Sequence, residues 1–130
     1  MEKSRILIVE DDPFLKKLYA DLLAVESYTI ETAVEGEEAL RKIKEGGWDL
    51  ILLDIVLPKL DGFQIIQRLQ SDPPSKQNKK IVFLTNLERE TDVQQAKKLG
   101  IEYLIKSDLT PENFLKHIRT FLEPKQSFPS

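Results

Sequence analysis

Short apolar runs alternate along this chain with stretches in which apolar residues return every three or four positions. Arg5 to Val9 reads as a strand, and its nearly continuous apolar character predicts burial on both faces. Asp12-Pro13 predicts an N-cap followed by proline in the first turn of a helix with Leu15, Leu18, Leu22 and Val25 inward. Tyr28 to Ala33 alternates and is weaker, which suits an edge strand. Glu37 to Glu45 predicts a second helix with Ala39, Leu40 and Ile43 inward, ended by Gly46-Gly47. Trp48 to Asp54 carries the strongest strand pattern and is expected at the centre of a sheet. Asp61-Gly62-Phe63-Gln64 predicts a capped third helix with Phe63, Ile66 and Leu69 as its buried stripe. The polar segment Ser71 to Lys80, interrupted by Pro73-Pro74, cannot continue that helix and is the expected place for local mobility. Lys80 to Thr85 is the fourth strand. Glu88 to Leu99 predicts a helix with acids at its start, Lys97-Lys98 at its end and a thin stripe of Val93, Ala96 and Leu99. Glu102 to Ile105 makes a short fifth strand, and Thr110-Pro111 opens a last helix with Phe114, Leu115, Ile118, Phe121 and Leu122 inward.

Five strand-helix units in this length predict an α/β fold, a flavodoxin-like doubly wound three-layer sandwich on a parallel five-stranded sheet of order 2-1-3-4-5 with right-handed crossovers. One domain, residues 1–123, accounts for the pattern, and residues 124–130 are expected to form a frayed tail because no core residue falls in register there. In that strand order, strands 1 and 3 lie side by side where ligands bind beyond the carboxyl ends. Glu10 and Asp11 follow strand 1 and Asp54 ends strand 3, while Thr85 and Lys106 end strands 4 and 5. If the strands are parallel, all of them meet at one rim.

The chain contains no cysteine, which excludes disulfides, thiolate nucleophiles and Cys-ligated zinc and makes a reducing cytoplasm the expected location. Its formal net charge of -3 argues against direct nucleic-acid binding, which needs a concentrated basic surface. No apolar run approaches the length of a membrane span, so no membrane insertion is expected. Within the rim, three carboxylates about 5 Å apart repel by about 3 kcal/mol per pair at an effective dielectric near 20. A cation is their natural complement, and a purely oxygen donor set favours Mg²⁺, with Mn²⁺ as a substitute, over zinc. With such an ion, Asp54 could act as nucleophile toward a phosphoryl donor, Lys106 could hold one phosphoryl oxygen and Thr85 another.

These residues resemble the receiver domain of two-component response regulators over Lys3 to Glu123, in its single-domain, chemotaxis-regulator-like form. The resemblance implies that Glu10 and Asp11 are the acidic pair holding the metal, that Asp54 is the phosphoacceptor, and that the backbone carbonyl of Val56 completes the protein ligands. It implies Thr85 as switch hydroxyl, Tyr103 as switch aromatic and Lys106 as the family's lysine. Leu57-Pro58-Lys59-Leu60-Asp61-Gly62 looks like the loop after the phosphoacceptor. The implied donor is a histidine kinase or histidine phosphotransfer protein. Output is expected through a downstream protein target at the face of the fourth helix, fifth strand and fifth helix, from a monomer or a phosphorylation-dependent dimer. The serious alternative is a receiver-like interaction module that works without phosphorylation.

Two positions depart from the family. Lys106 is followed by Ser107 rather than proline, so a cis bond, which costs about 3 kcal/mol without proline, is not expected and the following loop is expected to run differently. Asn86 stands after Thr85 where the family favours a small residue. Val56 and Leu87, two residues beyond Asp54 and Thr85, are apolar and cannot orient a water, so a long-lived aspartyl phosphate is expected. Asp12 is accounted for by N-capping, with a metal role as the alternative. Phe14 is open to docking a kinase or to core packing, and His117 is expected at the surface. A haloacid-dehalogenase-like phosphatase would need a second Asp two residues after a nucleophile on the first strand, then Thr, which Glu10-Asp11-Asp12-Pro13 does not supply. A flavodoxin proper would need a hydroxyl-rich phosphate loop there, and acids would repel its flavin phosphate.

Overall fold

The computed structural model describes residues 3–86 and 89–123, arranged as β1 (Arg5–Val9), α1 (Pro13–Val25), β2 (Thr29–Ala33), α2 (Gly36–Glu45), β3 (Leu50–Asp54), α3 (Gly62–Ser71), β4 (Ile81–Thr85), α4 (Glu90–Leu99), β5 (Tyr103–Ile105) and α5 (Pro111–Leu122). A single 3-10 turn, Lys106–Asp108, follows β5. The strands form one sheet in the order β2-β1-β3-β4-β5 with every neighbouring pair parallel, as expected. Side chains alternate across a strand, so the near-continuous apolar runs feed two cores at once. Leu7, Val9, Ile51, Leu53 and Phe83 face α2, α3 and α4 through Ala39, Ile43, Ile65 and Ala96. Ile6, Ile8, Leu50, Leu52, Val82 and Leu84 face α1 and α5 through Tyr19, Leu23, Phe114 and Ile118. Phe63 meets Phe83 edge-on at 5.1 Å on the first face, and Tyr19 stacks on Phe114 at 4.9 Å on the second.

Local chemistry sets the helix ends. Asp12 accepts from the backbone N–H groups of Phe14 and Leu15 and so caps α1. Asp61 with Gln64, and Thr110 with Asn113, form reciprocal capping boxes on α3 and α5. Two inward assignments are corrected. Val25 is 82% exposed, because α1 buries Tyr19 and Leu23 and six residues beyond Tyr19 lies about 120° around the helix. Leu99 is also exposed, since Gly100 turns the chain in the left-handed region (φ +71) and Ile101 packs against the first core instead. Asp92, paired with Arg89, takes a buried place on α4 that the apolar pattern did not mark. Glu88 lies outside the described residues.

The polar segment between α3 and β4 is tied down rather than loose. Trp48, which precedes β3 and is buried, donates its Nε1–H to the Lys42 carbonyl at 3.0 Å. Asn78 donates to the Ile43 carbonyl at 3.1 Å and accepts from the Trp48 N–H at 3.1 Å. The Ser75 N–H reaches the Lys44 carbonyl at 2.9 Å, and Lys44 pairs with Asp72. Three carbonyls at the end of α2, which its own backbone cannot satisfy, are thereby capped, that of Lys42 by Trp48 and those of Ile43 and Lys44 by this loop. Asn78→Ala leaves one buried carbonyl and one N–H without partners, so urea unfolding should show a loss of about 1–3 kcal/mol. An unchanged midpoint would mean that the loop carries no such anchor.

Candidate functional site

Parallel pairing delivers the acidic residues to one level. Val9 pairs with Leu53, so Glu10, the next residue, stands beside Asp54, and Asp54 in turn pairs with Leu84. The Glu10 N–H is held by the Ala33 carbonyl at 3.1 Å. Lys106 opens the 3-10 turn after β5, and its ammonium lies 2.9 Å from both Glu10 oxygens and 2.8 Å from Asp54 Oδ2. Asp54 Oδ1 accepts from the Val56 N–H at 3.3 Å. Glu10, Asp11 and Asp54 each offer an oxygen within 4.8 Å of the others, Glu10 and Asp54 buried and Asp11 exposed. Above them lies an open cleft of about 450 Å³ lined by Glu10, Asp11, Asp12, Pro13, Leu15, Asp54, Val56, Asn86 and Lys106.

Electrostatics explain why this cluster tolerates burial. Burial pushes the Glu10 carboxyl up to about 8, and the hydrogen bond and charge of Asp54 add to it, against the opposing pull of Lys106. Burial alone would lower the Lys106 ammonium, yet its contacts with Asp54 and Glu10 outweigh that and raise it. Tyr19 lies close enough to feel the cluster: burial first, then the Glu10 charge, push its phenol up to about 12. The donor set suits a hard divalent ion, because Glu10, Asp11 and Asp54 supply only oxygen, and neither His nor Cys belongs to the cluster.

Among the other residues read from the sequence, Val56 lines the cleft and its side chain is exposed. Thr85 is buried, and its hydroxyl donates to the Asn86 carbonyl at 3.4 Å. It is Asn86, not Thr85, that faces the cleft. Tyr103 is half-buried on β5 and packs against the first core. Phe14 is 74% exposed beside the acids, which decides against core packing. Exposed His117 stacks on Phe121 with ring centroids 6.2 Å apart. No peptide bond among the described residues is cis, and Ser107 sits inside the 3-10 turn. Leu87 lies outside the described residues.

Sequence reasoning missed the direct bridge from Lys106 to Glu10, because spacing shows which strand ends are polar and not how far an ammonium reaches back. It also missed Glu35, whose side chain caps α2 by accepting from the Glu38 N–H. An acid just before Gly36-Glu37-Glu38 was the signal available. Nothing in the sequence marked Lys59 as a left-handed residue (φ +70), a conformation rare for a side chain with a Cβ.

With the Glu10 carboxyl raised from 4.5 to about 8, the native chain keeps a proton that the unfolded chain has already released. Stability from this group therefore falls as pH climbs through that window. Lys106→Met removes the compensating charge, and denaturant unfolding at pH 8 should show a loss of about 3 kcal/mol. At pH 5, where Glu10 keeps its proton, the loss should be smaller. Equal losses at both pH values would contradict a Glu10 carboxyl raised in the folded chain.

A family model described as the response regulator receiver domain matches residues 6–119. A transcriptional regulatory protein, DltR, of Streptococcus agalactiae is 32% identical over 123 residues, which are 95% of this chain and 53% of that protein. A gliding motility regulatory protein of Myxococcus xanthus is 33% identical over 112 residues, 85% of this chain but 14% of that protein. The chain thus spans about half, or less, of these curated relatives. Among solved structures, a CheY-like receiver domain protein of Methanospirillum hungatei superposes with a TM-score of 0.79 at 27% identity, covering 93% of this chain and 94% of the other. A magnesium-bound receiver domain of a Pseudomonas aeruginosa sensor histidine kinase, 23% identical with a TM-score of 0.77 and covering 93% and 98% of the two chains, shares the fold.

Proposed function

Because the chain belongs to the response regulator receiver domain family, we propose that Asp54 accepts a phosphoryl group from the phosphohistidine of a histidine kinase or phosphotransfer protein in a Mg²⁺-dependent reaction. The observation that carries this reading is the Lys106 ammonium, poised 2.8 Å from Asp54 and 2.9 Å from Glu10 at the mouth of an acidic cleft. Glu10, Asp11, Asp54 and the Val56 carbonyl are the residues that would hold the ion. When bound, it supplies positive charge to the phosphoryl oxygens during transfer. An Asp54 carboxylate oxygen forms the O–P bond while the N–P bond of the donor breaks. The bonding electrons pass to the imidazole nitrogen, which regains a proton from solvent. Lys106, held beside the nucleophile, moves from carboxylate to phosphoryl oxygen over a short distance and so needs little reorganisation.

Switching then falls to Thr85. Its hydroxyl, resting on the Asn86 carbonyl at 3.4 Å, is freed by rotation toward the phosphoryl group, and β5 follows through Tyr103. Phosphorylation shifts a pre-existing equilibrium at the face of α4, β5 and α5 rather than making a new fold. Exposed Phe14, beside the cleft, supplies an apolar contact for the phosphodonor protein. A second reading, an interaction module that works without phosphorylation, draws on Asn86 standing at the cleft in place of the threonine hydroxyl.

Incubation with acetyl phosphate and Mg²⁺ should add one group of about 80 Da, lost in Asp54→Asn and with chelator. Mg²⁺-dependent binding of beryllofluoride, also lost in Asp54→Asn, should accompany it. Partner binding with neither signal would favour the second reading. The phosphorylated protein should decay slowly, because Val56 offers no polar group to an attacking water. Val56→Asn should shorten its lifetime, and a lifetime unmoved by that change would remove the argument.

A further inference from the structure

We propose that Glu35, Gly36 and Lys59 act as a strap from the N-terminus of α2 that positions the Val56 peptide for the divalent ion, an inference that rests on the metal-dependent reading above. The loop that carries Val56 leaves β3 with the Ile55 N–H on the Leu84 carbonyl at 3.2 Å, and the Gly62 N–H returns to the Ile55 carbonyl at 2.8 Å. Its far side is held from another strand-helix unit. The Gly36 N–H donates to the Pro58 carbonyl at 3.0 Å, and the Leu60 N–H shares that acceptor at 2.9 Å. A Cβ on Gly36 would stand 2.0 Å from the Leu60 carbonyl oxygen, so the two backbones touch only because residue 36 has no side chain.

Between these hydrogen-bonded points the loop turns at Lys59, a left-handed residue with φ +70. A lysine there is unfavourable by itself and persists only where its surroundings hold it. Its ammonium lies 3.3 Å from Glu35 and 3.8 Å from Glu37. Glu35 is a fit anchor. The Glu38 N–H and then Lys59 lower its carboxyl below the usual range, and its Oε2 is buried with no hydrogen bond among the described residues, which leaves Lys59 as its charged neighbour. Only Val56 and Leu57 lie between the β3 anchor at Ile55 and the strap at Pro58. The orientation of the Val56 carbonyl is therefore set from both ends, and loosening one end lets it wander from the carboxylates it must join. Outer contacts of this kind act on metal affinity through the ligand they orient.

Isothermal titration of Mg²⁺ into the full chain tests the strap, with thermal unfolding and amide hydrogen exchange of residues 56–60 followed alongside. Lys59→Ala should weaken Mg²⁺ binding by about tenfold and speed exchange at Val56 and Leu57. Lys59→Arg, which keeps the pair, should stay within about twofold of the unaltered chain. Glu35→Gln, which keeps an acceptor for the Glu38 N–H, should weaken binding like Lys59→Ala, and the double variant should be no worse than either alone. A lower melting temperature with unchanged Mg²⁺ affinity in Lys59→Ala would make the strap purely structural and overturn the proposal. Equal losses in Lys59→Arg and Lys59→Ala would also overturn it. A chain that binds no Mg²⁺, or binds it as well in Asp54→Asn, would instead defeat the metal-dependent reading, and the strap with it.

Discussion

The ammonium of Lys106 stands between two buried carboxylates that neighbouring strands force into one place. Glu10 and Asp54 are brought level by the pairing of β1 with β3, and both are buried. Without a cation between them the rim of the sheet would be a point of repulsion in a poorly screened setting. The lysine comes from β5, at the opposite edge of the sheet from β2, so one contact joins three strand-helix units at the carboxyl ends. The same contact leaves the cluster short of full ionisation, with Glu10 raised by burial and by Asp54. A divalent ion arriving there would meet oxygens already assembled, and a lysine already close to Asp54.

Such an arrangement needs a rigid base and adjustable edges, and the packing supplies both. Strands β1, β3 and β4 are buried on two faces and carry nearly all of their residues into one core or the other. The loops above them differ in how they are held. The loop after β3 is braced by α2 through Gly36 and Glu35, whereas the Thr85 hydroxyl at the end of β4 has, among the described residues, one long hydrogen bond, to a neighbouring carbonyl. A hydroxyl so weakly engaged changes partner at small cost.

Much of this was readable from residue order. Two-sided strands show themselves as unbroken apolar runs, and Asp12, Asp61 and Thr110 mark helix starts because a side-chain oxygen must satisfy backbone N–H groups that the helix leaves bare. Other features were not readable. Val25 and Leu99 look like core residues until the helix rotation and the turn at Gly100 are known. The segment containing Pro73-Pro74 looks loose because its polarity speaks of exposure, while its role as a cap on α2 depends on where Ile43 and Lys44 end. The family resemblance named candidate site residues, but it did not tell that Asn86 rather than Thr85 borders the cleft.

The chain by itself determined the number and kind of its elements, their order in the sheet and the end of the sheet at which its acids gather. Each of these follows from local periodicity, capping chemistry and the rules of parallel connection. Tertiary structure alone decided which charges touch. Lys106 lies 96 residues from Glu10 and 52 from Asp54 in sequence, and Lys59 meets Glu35 across two different units. Distances of a few ångströms between such groups depend on strand register, loop curvature and the reach of a side chain, none of which is written in the spacing of residues along one strand or helix.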